Sequence, residues 1–306
     1  MNKKHVVKYL VFVFVLTYIF EIIASIVAIK NPMGLGQLLF TIIMVGVMYV
    51  PFFGVLFARG TLKGVGFKPK FKGCAYLLPI AFFGPFIAAV LGGALFFAIF
   101  PDMFSLNGSY FIAQSPNGAE VIKQLEAQGL SVKILIVISI IQSITYAPIL
   151  NMLAALGEEV GWRGFLYPEL NKSFGKLPTW LIGGAIWGAF HYPIIILVGY
   201  EYGMDYFGFP IVGIIVFTIW TIFLGLLHEV IYDKSKCIWY PALLHGAVNA
   251  CGWITMLVNY DDLERTGKLA ILGPFFNGAI GGIPMALFAI VIGVIVMKKT
   301  SKKTEA

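Results

Sequence analysis

The chain has 306 residues, of which 59% are hydrophobic and only 12% are charged, whereas soluble domains are about half apolar and about a quarter charged. This composition excludes an ordinary water-soluble globular protein. The net charge of +7 does not indicate a nucleic-acid partner, because the basic residues lie between apolar segments and form no basic stripe.

The apolar residues are concentrated in eight segments, each long enough for the roughly 20 residues that cross a bilayer. In chain order they are 6–29, 34–58, 74–100, 132–156, 178–199, 208–229, 237–258 and 270–297. The sequence therefore predicts an all-α, polytopic transmembrane helical bundle of about eight helices. Residues 1–306 are expected to form a single membrane domain, with an outer connection at 101–129.

The first segment has an alternative interpretation as a cleavable signal peptide, because Lys3 and Lys4 precede it and small residues follow. Its apolar run is longer than the 7–15 residues of the hydrophobic region of a signal peptide, and it contains Glu21. We therefore expect a retained first helix.

The basic residues predict the orientation in the membrane. Seventeen of the 22 lysines and arginines fall on one side of the eight-segment arrangement, including Lys302 and Lys303 near the C-terminus. The other side has five, which are Lys30, Lys123, Lys133, Arg265 and Lys268. Because cytoplasmic loops carry the excess of positive charge, we expect a multi-pass protein of the cell membrane with both termini in the cytoplasm.

Polar residues inside apolar segments are costly unless they face a cavity or a partner, so they are candidates for function. They are Glu21, Glu158, Glu159, Arg163, His191, His228, Glu229, His245 and Asn249. Three groups among them follow helical spacing.

The first group continues the fourth apolar segment. Glu159 and Arg163 are four residues apart, so their side chains can pair on one helical face. Glu158 points elsewhere, and a carboxylate beside a paired neighbour in a low-dielectric pocket is suited to act as a general base. The structural alternative is a charge cluster that ends a helix at the membrane interface.

The second and third groups lie in the fifth and seventh segments. One helical face carries Gly184, Trp187, Gly188 and His191, and the glycines allow a neighbouring helix to approach. His245 and Asn249 also share a face. Each group alone could be an interhelical hydrogen bond, but together they predict three helices that turn polar groups toward one wet cavity.

These three motifs, Glu-Glu-x-x-x-Arg, aromatic-x-x-x-His and His-x-x-x-Asn, resemble in this order the CAAX protease and bacteriocin-processing (CPBP, Abi-type) family. That family is related to the type II CAAX prenyl proteases. The resemblance covers residues 145–255, the expected catalytic core. It implies an intramembrane endopeptidase that acts on a membrane-associated or lipidated peptide, with membrane lipids as further partners, and with bacteriocin processing or self-immunity as roles.

The resemblance also implies roles for individual residues. Glu158 and His191 would activate the attacking water, His245 and Asn249 would stabilise the oxyanion, and Glu159 with Arg163 would support the site. The family usually has Phe where this chain has Trp187, and we expect the indole to keep that supporting aromatic wall.

A metal is permitted by these residues, since Glu158, His191 and His245 would form a His-His-carboxylate set for a divalent ion such as zinc. The chain has no HExxH motif, because Tyr232 follows His228-Glu229 where a second histidine would be needed. The three cysteines form no metal-binding pair. The family is described both as metal-dependent and as metal-free, so no cofactor is assigned, and metal-free chemistry is favoured.

Two other functions fit the same residues. Intramembrane Glu and His residues also form proton relays, as in a proton-coupled transporter, although no repeats are recognisable here. The second alternative function is that of a membrane scaffold or immunity protein of the same family that does not cleave peptides.

The sequence predicts different depths in the membrane for His191 and Glu158, although both are expected in one site. His191 lies roughly 20 Å along a helix from Pro178, whereas Glu158 is near the apparent end of its segment. Either the fourth helix continues beyond Phe165, or the segment 171–177 dips below the membrane surface, where protein or water must cover it.

Overall fold

The structure is a computed structural model that describes residues 1–113 and 117–304, with side chains up to residue 299. Parts of three predictions therefore lie outside the described residues. These are positions 114–116 of the predicted outer connection, the last two residues of the predicted domain 1–306, and the side chains of Lys302 and Lys303.

The described residues form helices joined by connections of varied length, with no strand among them. The helices are α1 (Lys3–Lys30), α2 (Leu35–Val47), α3 (Val50–Arg59), α4 (Leu77–Ile99), α5 (Ser109–Ala113), α6 (Gly118–Ala127), α7 (Val132–Ser143), α8 (Ala147–Gly161), α9 (Tyr167–Phe174), α10 (Lys176–Phe190), α11 (Tyr192–Val198), α12 (Ile211–Ser235), α13 (Trp239–Asn249), α14 (Leu263–Leu269) and α15 (Ile283–Thr304). A π-helical turn, Trp162–Leu166, joins α8 to α9, and α13 continues into a 3₁₀ helix, Ala250–Leu257.

Within residues 1–113 and 117–304, four helical segments are long and apolar enough to cross a membrane, and the number rises to six if each of two bent pairs is one span. The four are α1, α2 with α3, α4, and α12. The all-α membrane bundle is thus confirmed, whereas the predicted number of eight spans is not.

Several predicted spans have different boundaries in the structure, among them 132–156 and 270–297. The span predicted at 132–156 is broken after α7, because Pro148 in the first turn of α8 cannot donate a backbone hydrogen bond to the preceding turn. The span predicted at 270–297 begins with a 3₁₀ turn, Ala270–Leu272, and its α-helix starts only at Ile283. Glycines and Pro274 fill the preceding segment 273–282 and disfavour a helix there.

The site residues lie on a bundle of α8, α10, α12 and α13. Helix α13 packs closely on α8, because Gly246 has no side chain where a Cβ atom would come within 2.4 Å of Met152 N and Pro148 O. Helix α10 packs on α12 through Gly188, where a Cβ atom would lie 2.8 Å from Thr221 Oγ1. The close approach predicted from the glycines of the fifth segment is therefore present, and α12 is the neighbour.

A break at His191 separates α10 from α11, and the two helices form a bent pair at 42°. Pro193 causes the break, since it has no N–H to donate to the carbonyl of Ala189 one turn earlier. Tyr18 of α1 satisfies that carbonyl instead, with a hydrogen bond of 2.9 Å from its hydroxyl group. The first helix is in this way tied to the bend that holds His191.

Candidate active site

Glu158 is buried, at 2% exposure, and its carboxylate is held by two indoles. The Nε1–H groups of Trp162 and Trp187 both donate to Oε2, over 3.0 Å and 2.7 Å respectively. The other oxygen, Oε1, has no hydrogen-bond partner in the described part of the chain. Glu158 is thus fixed through one oxygen, while the second remains available to accept a proton.

His191 is half-buried at the end of α10, and the same tryptophan anchors it. Its Nδ1 lies 3.1 Å from the backbone carbonyl of Trp187. A carbonyl only accepts, so Nδ1 carries the proton and the lone pair of a neutral ring lies on Nε2. The ring packs edge-on against Phe217, with centroids 5.1 Å apart.

Glu159 and Arg163 form the ion pair that their spacing predicts, with 2.9 Å between Nη1 and Oε1 and no exposure of either side chain. The guanidinium also covers two aromatic rings, 4.3 Å from the Trp187 centroid and 5.0 Å from that of Tyr167. Cation–π contacts of this kind help to compensate a desolvated positive charge. The pair is entirely internal, which removes the alternative of an interfacial charge cluster for these two residues.

His245 faces Glu159, with 2.9 Å between Nδ1 and Oε1. This contact places Glu159 at the centre of the polar network, whereas the sequence predicted only a supporting role through Arg163. Asn249, one turn further on α13, is exposed, and its side chain has no hydrogen-bond partner within residues 1–113 and 117–304.

The structure adds His228 of α12 to this group, although the sequence analysis left it outside the three motifs. Its ring is fully buried, and Nε2 lies 4.0 Å from Glu159 Oε1. Its ring centroid is 5.5 Å from that of Trp187 and 5.7 Å from that of His245. The only available signal was its position as an ionisable residue inside an apolar segment.

The predicted metal ligands Glu158, His191 and His245 do not form a compact set. In the part of the chain that the structure describes, the group whose ligand atoms all lie within 4.8 Å of one another is Glu159, His228 and His245. His228 Nε2 and Glu159 Oε2 have no protein partner, which suits a cation. However, His245 Nδ1 would have to leave Glu159, and the ion would lie beside the Arg163 guanidinium. The donors therefore fit a hydrogen-bonded network better than a divalent ion.

The continuous helical path from α8 through the π-turn to α9 resolves the predicted conflict of depth. The helix does not end near Glu158 but runs to Phe174, so the first of the two predicted alternatives is present. Glu158 and His191 both form hydrogen bonds with Trp187. His245 contacts Glu159, the residue next to Glu158 on α8.

Residues 139–251 match the family model described as type II CAAX prenyl endopeptidase, Rce1-like. This segment is therefore similar to that family. The match confirms the resemblance to the CAAX protease and CPBP family, and the Rce1-like segment contains every predicted site residue. Since the family consists of proteases, it supports a peptide-hydrolysing membrane protein whose partners are lipids and peptides.

No curated protein matches the chain.

Proposed function

We propose that this protein is an intramembrane endopeptidase that hydrolyses a peptide bond in a membrane-associated or lipidated peptide. The observation that carries the proposal is the carboxylate of Glu158, one oxygen of which is held by two indole N–H groups while the other is unpartnered. A buried carboxylate fixed in this way is pre-organised to take a proton from a water molecule, as a general base must be.

In this proposal, Glu158 Oε1 takes a proton from the attacking water while His191 Nε2 accepts its second hydrogen bond. The proton on Glu158 then passes to the leaving amine. His191 is suited to this role because its Nδ1–H is already bound to the Trp187 carbonyl, so Nε2 is the accepting atom.

His245 and Asn249 are proposed to stabilise the oxyanion that forms on the scissile carbonyl. For His245 to donate through Nε2 while Nδ1–H contacts Glu159, the imidazole must carry both protons. The Glu159 carboxylate supplies the balancing negative charge. The exposed amide of Asn249 lies one helical turn from His245 and offers the second donor.

The proposal includes a single membrane domain with both termini in the cytoplasm and a catalytic core at residues 145–255. The sorting of basic residues supports this orientation. A substrate would then reach the site from the cytoplasm or from the inner leaflet. The substrate class includes CAAX-type peptides, bacteriocin precursors and other small membrane peptides.

The test compares membranes from cells that express the wild type or the variants Glu158→Ala, His191→Ala and His245→Ala. We expect one or more membrane peptides to accumulate uncut in all three variants. Glu229→Gln is a matched control, since Glu229 is also buried but pairs with Lys176 and Trp180 instead. Identical peptide profiles at equal expression would rule out the protease and leave transport or a scaffold role.

A further inference from the structure

An apolar groove of about 580 Å³ lies between α4, α12, α13 and α15. Among the described residues that line it, only Tyr76 and Lys234 have polar side chains. None of the residues proposed to take part in cleavage lines this groove. Its volume is within the range of about 300–1,000 Å³ that is usual for ligand sites, so the groove is a candidate binding site in addition to the proposed active site.

The two polar residues lie at the same end of the groove. Tyr76 immediately precedes α4, Lys234 is in the last turn of α12, and the neighbouring Leu77 and Ile231 belong to one packed cluster. From Leu77 to Leu91, the lining of α4 extends roughly 21 Å at 1.5 Å per residue. This is longer than the roughly 15 Å of hydrocarbon in one leaflet, so the groove can hold an acyl chain along its length.

The opposite end of the groove is closed by backbone. Beyond Leu91, α4 meets the segment 273–282 at Gly92, where a Cβ atom would lie 2.2 Å from the carbonyl oxygen of Gly281. Phe276 of the same segment lines the groove. The groove is therefore a slot with one closed apolar end and one polar end, which distinguishes it from the continuous lipid-facing surface of the helices.

Lys234 gives the polar end a positive charge. Its side chain is exposed and has no hydrogen bond or ion pair with any residue in the ranges 1–113 and 117–304. The adjacent Asp233 is already occupied, since its carboxylate accepts hydrogen bonds from Lys176 and Lys236. Because no acidic residue lines the groove in the described part of the chain, this end is suited to a negatively charged group.

We propose that the groove binds one anionic phospholipid, with an acyl chain along α4 and the phosphate at Lys234. Such an amphiphile matches a lining that is apolar along its length and cationic at one end, as in other basic pockets between membrane helices. An extended peptide does not match it, because its backbone polar groups would find no partners among apolar side chains. Lys72, just before α4, and Lys298, in the last turns of α15, are exposed at the same end and add positive charge.

Two variants change the two parts of the site separately. Gly84 lies in the middle of the α4 lining, and a Cβ atom there would meet nothing within 4 Å, so Gly84→Leu fills the groove without a clash. Lys234→Gln removes the charge. The matched controls are Gly46→Leu on α2, where a Cβ atom also meets nothing, and Lys63→Gln, an exposed lysine between α3 and α4.

The experiment titrates the purified full-length chain in detergent micelles with phosphatidylglycerol or phosphatidylcholine, and native mass spectrometry counts the bound lipids. We expect the wild type to retain one phosphatidylglycerol in preference to phosphatidylcholine. Lys234→Gln should weaken binding of phosphatidylglycerol about fivefold, the usual attraction of one lysine to an acidic headgroup. Gly84→Leu should abolish retention of both lipids, and both controls should bind as the wild type does.

Thermal unfolding supplies a second measurement that does not depend on cleavage. Without added lipid, all the variants should unfold near the temperature of the wild type, since each changed position is exposed or faces open space. Phosphatidylglycerol should then raise this temperature in the wild type and in the controls, and less in Lys234→Gln. Because Lys234 is exposed, this variant keeps the test valid even if Gly84→Leu does not fold.

Four results would overturn the proposal. The first is that the wild type retains the two lipids equally, or retains neither. The second is that Lys63→Gln weakens binding as much as Lys234→Gln, which would make the effect one of general surface charge. The third is displacement of phosphatidylglycerol by a farnesylated peptide without acidic residues, which would assign the groove to a substrate. The fourth is a dimer that disappears in Gly84→Leu, which would make a second copy of the chain the occupant.

Discussion

The indole nitrogen of Trp187 donates a hydrogen bond of 2.7 Å to Glu158 Oε2, and it is this contact that joins the helix of His191 to the helix of both carboxylates. The backbone carbonyl of the same residue accepts a hydrogen bond from the Nδ1–H group of His191. Trp187 thus sets the position of both groups that are proposed to activate water, although it takes no part in proton transfer.

Trp187→Phe is expected to lower the free energy of unfolding by about 1.5–3 kcal/mol, the usual contribution of a hydrogen bond to a charged group. It should also lower kcat, because Glu158 then keeps only the bond from Trp162. Trp180→Phe is the matched control, since it removes a 3.0 Å indole bond to Glu229 outside the site. Thermal unfolding and cleavage rates check both, and an equal fall in kcat in the two variants would contradict the assignment.

Arg163→Met is expected to destabilise the protein by about 3–5 kcal/mol, because it removes the guanidinium that pairs with the buried Glu159 carboxylate. Adding Glu159→Gln removes the carboxylate that has lost this partner, so the double variant should be more stable than Arg163→Met alone. Thermal unfolding in detergent measures the cycle. If the loss of stability in the double variant equals the sum of the losses in the two single variants, the ion pair is not what makes Arg163→Met destabilising.

Gly246→Ala is expected to separate α13 from α8 and to abolish the contact between His245 and Glu159. The new Cβ atom would meet two backbone atoms, Met152 N and Pro148 O, both at 2.4 Å, and backbone cannot yield as a flexible side chain can. Overpacking of this kind costs about 1–3 kcal/mol or more. Gly252→Ala, which has nothing within 4 Å, should leave the unfolding temperature nearly unchanged.

Tyr18→Phe is expected to cost about 1 kcal/mol, because the carbonyl of Ala189 loses its donor. In a Pro193→Ala background the restored backbone N–H can satisfy that carbonyl, so the same change should cost less. Thermal unfolding of the four proteins gives the coupling between the two sites. An identical cost in both backgrounds would mean that the proline does not create the need for Tyr18.

Reporter fusions test the proposed orientation. A reporter that is active only in the cytoplasm should be active at the N-terminus and at the C-terminus, and inactive when inserted beside Lys123. Because the excess of lysine and arginine is the basis of this expectation, removing the basic residues at 68–72 should weaken the preference. Activity at only one terminus would require an odd number of spans.

The sequence predicted the all-α membrane bundle and the pairing of Glu159 with Arg163, because hydropathy and four-residue spacing are local properties of the chain. It did not predict the breaks at Pro148 and Pro193, since proline is tolerated within membrane helices when other groups satisfy the freed carbonyl. That compensation comes from Tyr18, which is 175 residues away from Pro193, and no local pattern contains it.

Of the contacts among the site residues, the sequence predicted only those within one helix. The pairing of Glu159 with Arg163 followed from their spacing, but the contact between Glu159 and His245 depends on how α8 meets α13. His228 has no partner at helical spacing in its own segment that would mark it as part of a motif. Its relation to the site exists only after α8, α12 and α13 have packed together.

The π-helical turn at Trp162–Leu166 sets the direction in which the side chains of α9 point relative to those of α8. One extra residue in a turn rotates everything that follows by about 100° relative to an uninterrupted α-helix. A deletion of one residue within 162–166 would therefore turn α9 away from the core as a unit, whereas a substitution there would preserve its direction. In this turn the number of residues sets the direction of α9, while the identities of Trp162 and Arg163 supply the contacts to Glu158 and Glu159.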